Sequence, residues 1–168
     1  MGTLSSVRIV GIDPGFDRLG VAVIDKEGTQ ESLVYSTCIT TSKDKLFEER
    51  LVMLGKELEL IFTKYSPQEV SIETIFITKN QKTVIRVAEV RGVCIYLAHI
   101  HGIKLFEYSP PQIKTAITGY GHATKDDVAS MVPKIIRMTT TGKLLDDEID
   151  AIAIALTHSA HRKIASWK

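Results

Sequence analysis

Four acidic positions in this sequence are placed where chemistry is a reasonable explanation for them. Asp13 ends the apolar run from Val7 and is followed at once by Pro14-Gly15, a turn signal. It therefore leaves a strand and points into whatever cleft lies beyond the sheet. An Asp that opens the turn by bonding its own backbone is the plainer account. Glu73 is harder to explain that way, because it follows Val70, Ser71 and Ile72 in an apolar strand. A lone carboxylate there carries a large desolvation cost and needs a cation, a proton or an exit to solvent. Asp147 and Asp150 are spaced i, i+3 and share one face at the start of the last helix, as do Asp146 and Asp150 at i, i+4. An acidic first turn that complements the helix dipole accounts for Asp146, Asp147 and Glu148. It accounts less well for Asp150, which Ile149, Ala151 and Ile152 crowd with apolar neighbours.

Were these acids to converge, their charges would repel strongly unless divalent cations neutralised them. All-oxygen ligation suits Mg²⁺, with Mn²⁺ able to substitute, and disfavours Zn²⁺. Two such ions per site, about 3.5–4 Å apart, form the clamp used for phosphodiester cleavage. One activates water and the other stabilises the leaving 3′ oxygen.

Basic residues gather mid-chain. Lys79, Lys82, Arg86, Arg91, Lys104, Lys114 and Lys125 face only Glu89 and Glu107 between positions 79 and 125. Phosphate contact is the functional reading and would make binding salt-dependent, whereas a solvated helix face explains any single lysine. Phe76, just after the Glu73 strand, is placed to stack on an unpaired base, although a lone aromatic is more often a core residue. Gly142-Lys143 lacks the rest of a phosphate loop. His158 and His161 have no partners at zinc spacing and read as a surface pair.

The elements that must position these groups follow from periodicity. Val7–Asp13, Leu19–Asp25 and Glu31–Thr40 read as antiparallel strands joined by short turns. Lys43–Tyr65 has one apolar helical face, stopped by Ser66-Pro67. Glu69–Thr74 is a buried strand, Asn80–Ile100 a helix ended by Gly102, and Lys104–Tyr108 another strand. Ser109-Pro110-Pro111 opens a helix, Thr124 with Asp127 caps the next, Pro133 breaks that one, and Asp147–Ile164 closes the chain. The result is an α/β fold: a five-stranded mixed sheet, three antiparallel strands followed by parallel ones, with helices on both faces.

At 168 residues, 44% hydrophobic and 24% charged, the chain reads as one domain, 1–168, with 1–6 and 165–168 as flexible tails. Its 11 Gly, 5 Pro and 2 Cys are too few for collagen-like, disordered or disulfide-scaffold classes. No apolar run approaches the ~18 residues needed to cross a bilayer. Cys38 and Cys94 lie far apart, which predicts buried free thiols in a reducing compartment and a cytoplasmic location. A net charge of +1 requires any nucleic-acid partner to be held by a local basic patch.

Taken in order, Gly11-Ile12-Asp13-Pro14-Gly15, Ile72-Glu73-Thr74-Ile75-Phe76, Arg91-Gly92-Val93 and Asp147-Glu148-Ile149-Asp150-Ala151-Ile152-Ala153-Ile154-Ala155 resemble the RuvC family of bacterial Holliday junction resolvases. The likeness runs from about Arg8 to His161. It implies an RNase H-like fold and a homodimer whose two sites nick opposed strands of a four-way DNA junction, leaving 5′-phosphate and 3′-hydroxyl ends. The family's metal ligands and catalytic acids fall on Asp13, Glu73, Asp147 and Asp150, with Asp146 adjacent; the D-x-x-D-A register favours Asp147. Its junction-contacting aromatic falls on Phe76 and its basic contacts on Lys114 and Lys125, with Lys79 and Lys82 nearby. Family members work beside a junction-binding protein and a branch-migration motor. The alternative is an RNase H-like nuclease with another nucleic-acid substrate, since fold and metals do not set the substrate. Gly11-Ile12-Asp13-Pro14-Gly15 also resembles the phosphate loop of actin-like ATPases and sugar kinases, but the chain is too short for their two domains. A non-catalytic junction-binding module would not require the acids.

Overall fold

Alternating apolar residues build a meander of β1 (Ser6–Asp13), β2 (Arg18–Glu27) and β3 (Gln30–Thr40), paired antiparallel. The computed structural model describes residues 6–75, 81–138 and 142–162. After the meander come α1 (Phe47–Tyr65), β4 (Glu69–Glu73), α2 (Gln81–Ile100), β5 (Lys104–Tyr108), α3 (Pro110–Thr118), α4 (Lys125–Ile135) and α5 (Asp146–His161). β4 runs parallel to β1, and β5 parallel to β4, giving the order β3-β2-β1-β4-β5. This is the mixed sheet that the periodicity predicts.

Strand alternation sorts the apolar residues into two cores. Val10, Ile12, Val21 and Ile72 meet Leu58, Phe62 and Val90 of α1 and α2 on one face. Ile9, Ala22 and Ile24 meet Val132, Ile152 and Ala155 of α4 and α5 on the other. Two glycines set how closely α5 lies on the sheet. A Cβ at Gly11 would sit 2.1 Å from the Ala151 carbonyl oxygen, and one at Gly20 would sit 2.1 Å from that of Asp147. The helix backbone therefore rests directly on β1 and β2, and the buried Ser71 hydroxyl, 3.2 Å from the Ile154 carbonyl oxygen, ties it to β4.

Several expectations are corrected. The first helix begins at Phe47 rather than Lys43, because Ser42 Oγ accepts from the Asp44 amide at 3.2 Å and holds the preceding segment in a turn. Pro133 does not end its helix: α4 continues to Ile135. One missing N–H is tolerated there because Val128, Val132 and Ile136 are buried on either side of it. Cys94 is buried, but Cys38 is only half-buried. His158 is not a surface residue. It is 2% exposed, with Nε2 2.8 Å from Glu69 Oε2, Nδ1 2.8 Å from the Tyr108 hydroxyl and Phe106 stacked on its ring. Its spacing from His161 carries no information about the strands beneath α5. The expected tails at 1–6 and 165–168 lie outside the described residues, apart from Ser6, which pairs with Glu27 in the sheet.

Candidate active site

Parallel pairing of β1 with β4 brings two acids to the same end of the sheet. Ile12 is in register with Ile72, so the next residues, Asp13 and Glu73, end their strands side by side. Ligands of parallel sheets bind outside these carboxyl ends. Asp13 and Glu73 follow Gly11 and Ser71 by the two-residue period and so face α5, which lies against both. A pocket of about 190 Å³ opens there, lined by Asp13, Glu73 and Asp150 together with Lys114 and Lys125. Pro110, Ile113 and Val128 of α3 and α4 form its apolar wall.

The electrostatics record how crowded these carboxylates are. Burial, reinforced by Glu73, Asp150 and Asp147, pushes the Asp13 carboxyl up to about 7. Burial and Asp150 push Glu73 up to about 7 as well, against the pull of Lys125 and Lys114. Burial also raises Asp150, although Lys125 Nζ lies 2.7 Å from its Oδ2. Asp147 is half-buried and stands outside the pocket lining; its carboxylate is ion-paired with Arg18, beside Cys38. Asp146, the neighbouring alternative, is exposed. Lys82 is exposed in the first turn of α2, and Phe76 and Lys79 lie outside the described residues.

Two arginines position the strand ends; the sequence reading missed Arg50 and took Arg91 for a phosphate contact. Arg50 of α1 is 4% exposed and reaches under the turn that follows Asp13. Its guanidinium donates to the Phe16 carbonyl at 3.0 Å and to Thr41 Oγ1 at 2.8 Å, and pairs with Asp17. The signal was present, since Arg50, Leu54, Leu58 and Ile61 share one buried helical face. Arg91 is a correction to the phosphate-contact reading. Its Nε donates to the Glu73 carbonyl at 3.2 Å, and its other end pairs with Glu107. It thus holds the backbone of β4 where the acid emerges.

The donor set suits a hard divalent cation. It is all carboxylate oxygen, the charges oppose one another, and a lysine ammonium already lies against one of them. Asp13, Glu73 and Asp150 could hold such an ion once drawn closer together, since among the described residues no three acids stand grouped tightly enough to ligate one as they are.

A pH dependence follows from the raised values. Between the ordinary carboxylate range and about pH 7 the folded protein binds protons that the unfolded chain has shed. Folding stability from these groups therefore falls as pH rises through that window. Without divalent ions, the melting temperature should drop more between pH 5 and pH 8 in the parent protein than in Asp13→Asn. Mg²⁺, which binds the deprotonated form, should restore more of it at pH 8 than at pH 6. Scanning calorimetry checks both, and parallel pH profiles for parent and variant would refute the coupling.

Known proteins resemble the chain over nearly its whole length. The family model described as crossover junction endodeoxyribonuclease RuvC matches residues 9–158. The crossover junction endodeoxyribonuclease RuvC of Ruminiclostridium cellulolyticum is 41% identical over 155 residues, covering 92% of this chain and 93% of the relative. The structure of T. thermophilus RuvC in complex with a Holliday junction substrate superposes with a TM-score of 0.83 at 29% identity, covering 91% of this chain and 93% of that one. A yeast mitochondrial Holliday junction resolvase shares the fold, with a TM-score of 0.69 at 14% identity over 92% of this chain and 78% of that one.

Proposed function

From the premise that the chain belongs to the RuvC family of crossover junction endodeoxyribonucleases, we propose that it resolves four-way DNA junctions by paired nicks of opposed strands. The observation that carries this reading is the single pocket in which Asp13, Glu73 and Asp150, from three separate elements, meet Lys114 and Lys125. Asp147, one helical turn before Asp150, completes the acid set on the side facing β2.

The family uses divalent metal, and two Mg²⁺ ions would supply water activation and neutralise charge at the leaving 3′ oxygen. Asp13, Glu73, Asp147 and Asp150 would hold them. Lys114 and Lys125 line the same pocket, Lys125 directly against Asp150, and there they bind the phosphate backbone and oppose the acids' charge. Arg50 and Arg91 keep the two strand ends in place. Phe76, Lys79 and Lys82 extend the DNA contact from the segment after β4.

Paired incision needs two sites, hence a homodimer. α2 supports one: Ile85, Gly92, Tyr96 and Ile100 share a helical stripe, with Ile85 60%, Tyr96 63% and Ile100 54% exposed. A Cβ at Gly92 would meet nothing within 4 Å, so another helix can approach closely there. The same reading has the dimer act beside a junction-binding protein and a branch-migration motor.

The test is incubation with a synthetic four-way junction and with a linear duplex, each with and without Mg²⁺. Symmetric, ligatable, Mg²⁺-dependent nicks confined to the junction are expected. Equal cutting of the duplex would favour a nuclease of another substrate class. The lysines add a second expectation. Lys114→Ala and Lys125→Ala should each weaken junction binding and reduce the slope of log affinity against log salt by about 1. An unchanged slope would remove that lysine from the phosphate path.

A further inference from the structure

The loop joining α3 to α4, residues 119–124, carries an aromatic that the catalytic pocket does not use. Tyr120 is 62% exposed, and among the described residues only Tyr96 is a comparably exposed Tyr, Phe or Trp. The exposed His122 ring stands beside it, with centroids 5.6 Å apart and planes at 59°.

This loop is firmly built. The Tyr120 amide donates to Thr118 Oγ1 at 3.1 Å, and that hydroxyl donates to the Lys114 carbonyl at 2.8 Å. The Ala123 amide donates to the Tyr120 carbonyl at 3.1 Å. Gly119 takes φ +79°, which disfavours a side chain, and a Cβ at Gly121 would come 3.0 Å from Thr115 Oγ1. One hydroxyl therefore fixes Tyr120 relative to Lys114, and the loop's far end runs into Lys125. Both lysines line the acid pocket.

An exposed aromatic on a firmly built loop that joins two pocket-lining lysines along the chain has the parts that bind single-stranded nucleic acid: cations track the phosphates while the ring takes a base. We propose that Tyr120, with His122 against it, forms a stacking subsite for an unpaired nucleobase next to the phosphate being cut. The subsite rests on the junction-nuclease reading and adds a determinant of where in the junction the strand is cut. Lys114 and Lys125 hold neighbouring phosphates in the acid pocket. Stacking needs the ring face and not the phenol hydroxyl, so phenylalanine should serve as well as tyrosine.

The experiment uses four-way junctions carrying 2-aminopurine at successive positions around the cut site, in Ca²⁺ to keep the strands intact. The parent protein should quench the probe at one position, and both Tyr120→Ala and Tyr120→Leu should lose that quenching and bind the junction about tenfold more weakly. Tyr120→Phe should retain quenching and affinity within about twofold. Affinity for a linear duplex, which has no unpaired base, should not change in any variant. Melting temperatures should match the parent, since the ring is exposed. Parent-like quenching and affinity in Tyr120→Ala would overturn the subsite. So would a Tyr120→Phe variant as weak as Tyr120→Ala, which would assign the effect to the hydroxyl. A parent protein with no preference for junction over duplex would instead overturn the nuclease reading on which the subsite rests.

Discussion

Glu73→Gln should yield a folded protein that binds junctions and does not cut them. The substitution preserves shape and removes the charge on which cation binding depends, so the loss should be at least about a thousandfold in the single-turnover cutting rate. Asp13→Asn should do the same. Because the two acids act as one unit, the double variant should be scarcely worse than either single one. Binding should persist, since Lys114 and Lys125 belong to the pocket wall rather than to the acid set. Both variants should also be more stable than the parent at pH 8 without metal, because each removes one of the buried, mutually repelling carboxylates. That second readout separates a lost ligand from a damaged fold. Retained cutting by either purified variant would remove that acid from the centre.

Much of this centre could be read from local sequence, for definable reasons. Asp13 and Glu73 end short apolar strands, and a strand end is visible in one dimension. The Thr124–Asp127 cap was readable too, because its partners are three residues apart: the Thr124 amide donates to Asp127 Oδ2 at 2.8 Å. What stayed hidden depends on contacts between distant segments. His158 pairs with Glu69 across 89 positions, so its i+3 relation to His161 was misleading. Arg91 looked like one more surface cation until Glu107 and the Glu73 carbonyl were seen around it. Arg18, in no motif, pairs with Asp147. Pro133 reads as a breaker on backbone chemistry alone, and the packing of Val132 and Ile136 overrides it.

The glycines of β1 and β2 are another such case, and they carry the second large prediction. Gly20 lies directly across from Asp13 in the β1–β2 register, and its missing side chain is what lets the Asp147 carbonyl approach. Gly11 does the same beneath Ala151 and Ala155, one turn further along α5. The obstacles at both positions are helix backbone, which cannot rotate aside as a side-chain tip can. Gly20→Ala or Gly11→Ala should therefore lift α5 off the sheet, at a cost of about 1–3 kcal/mol. For a domain of this size that lowers the melting temperature by roughly 2–12 °C. The effect on cutting should be larger in proportion, because Asp150 travels with the helix while Asp13 and Glu73 stay with the strands. A displacement of about 1 Å costs on the order of a hundredfold in rate. Gly55→Ala is the control. A Cβ there meets side chain rather than backbone, a Val93 methyl at 3.2 Å that must give by a few tenths of an ångström, and the change favours the helix. It should leave stability and cutting near the parent's. A Gly20→Ala protein with parent-like melting and cutting would mean that the height of α5 above the sheet does not assemble the site. The acids would then have to be brought together by something other than the close packing of α5 on β1 and β2.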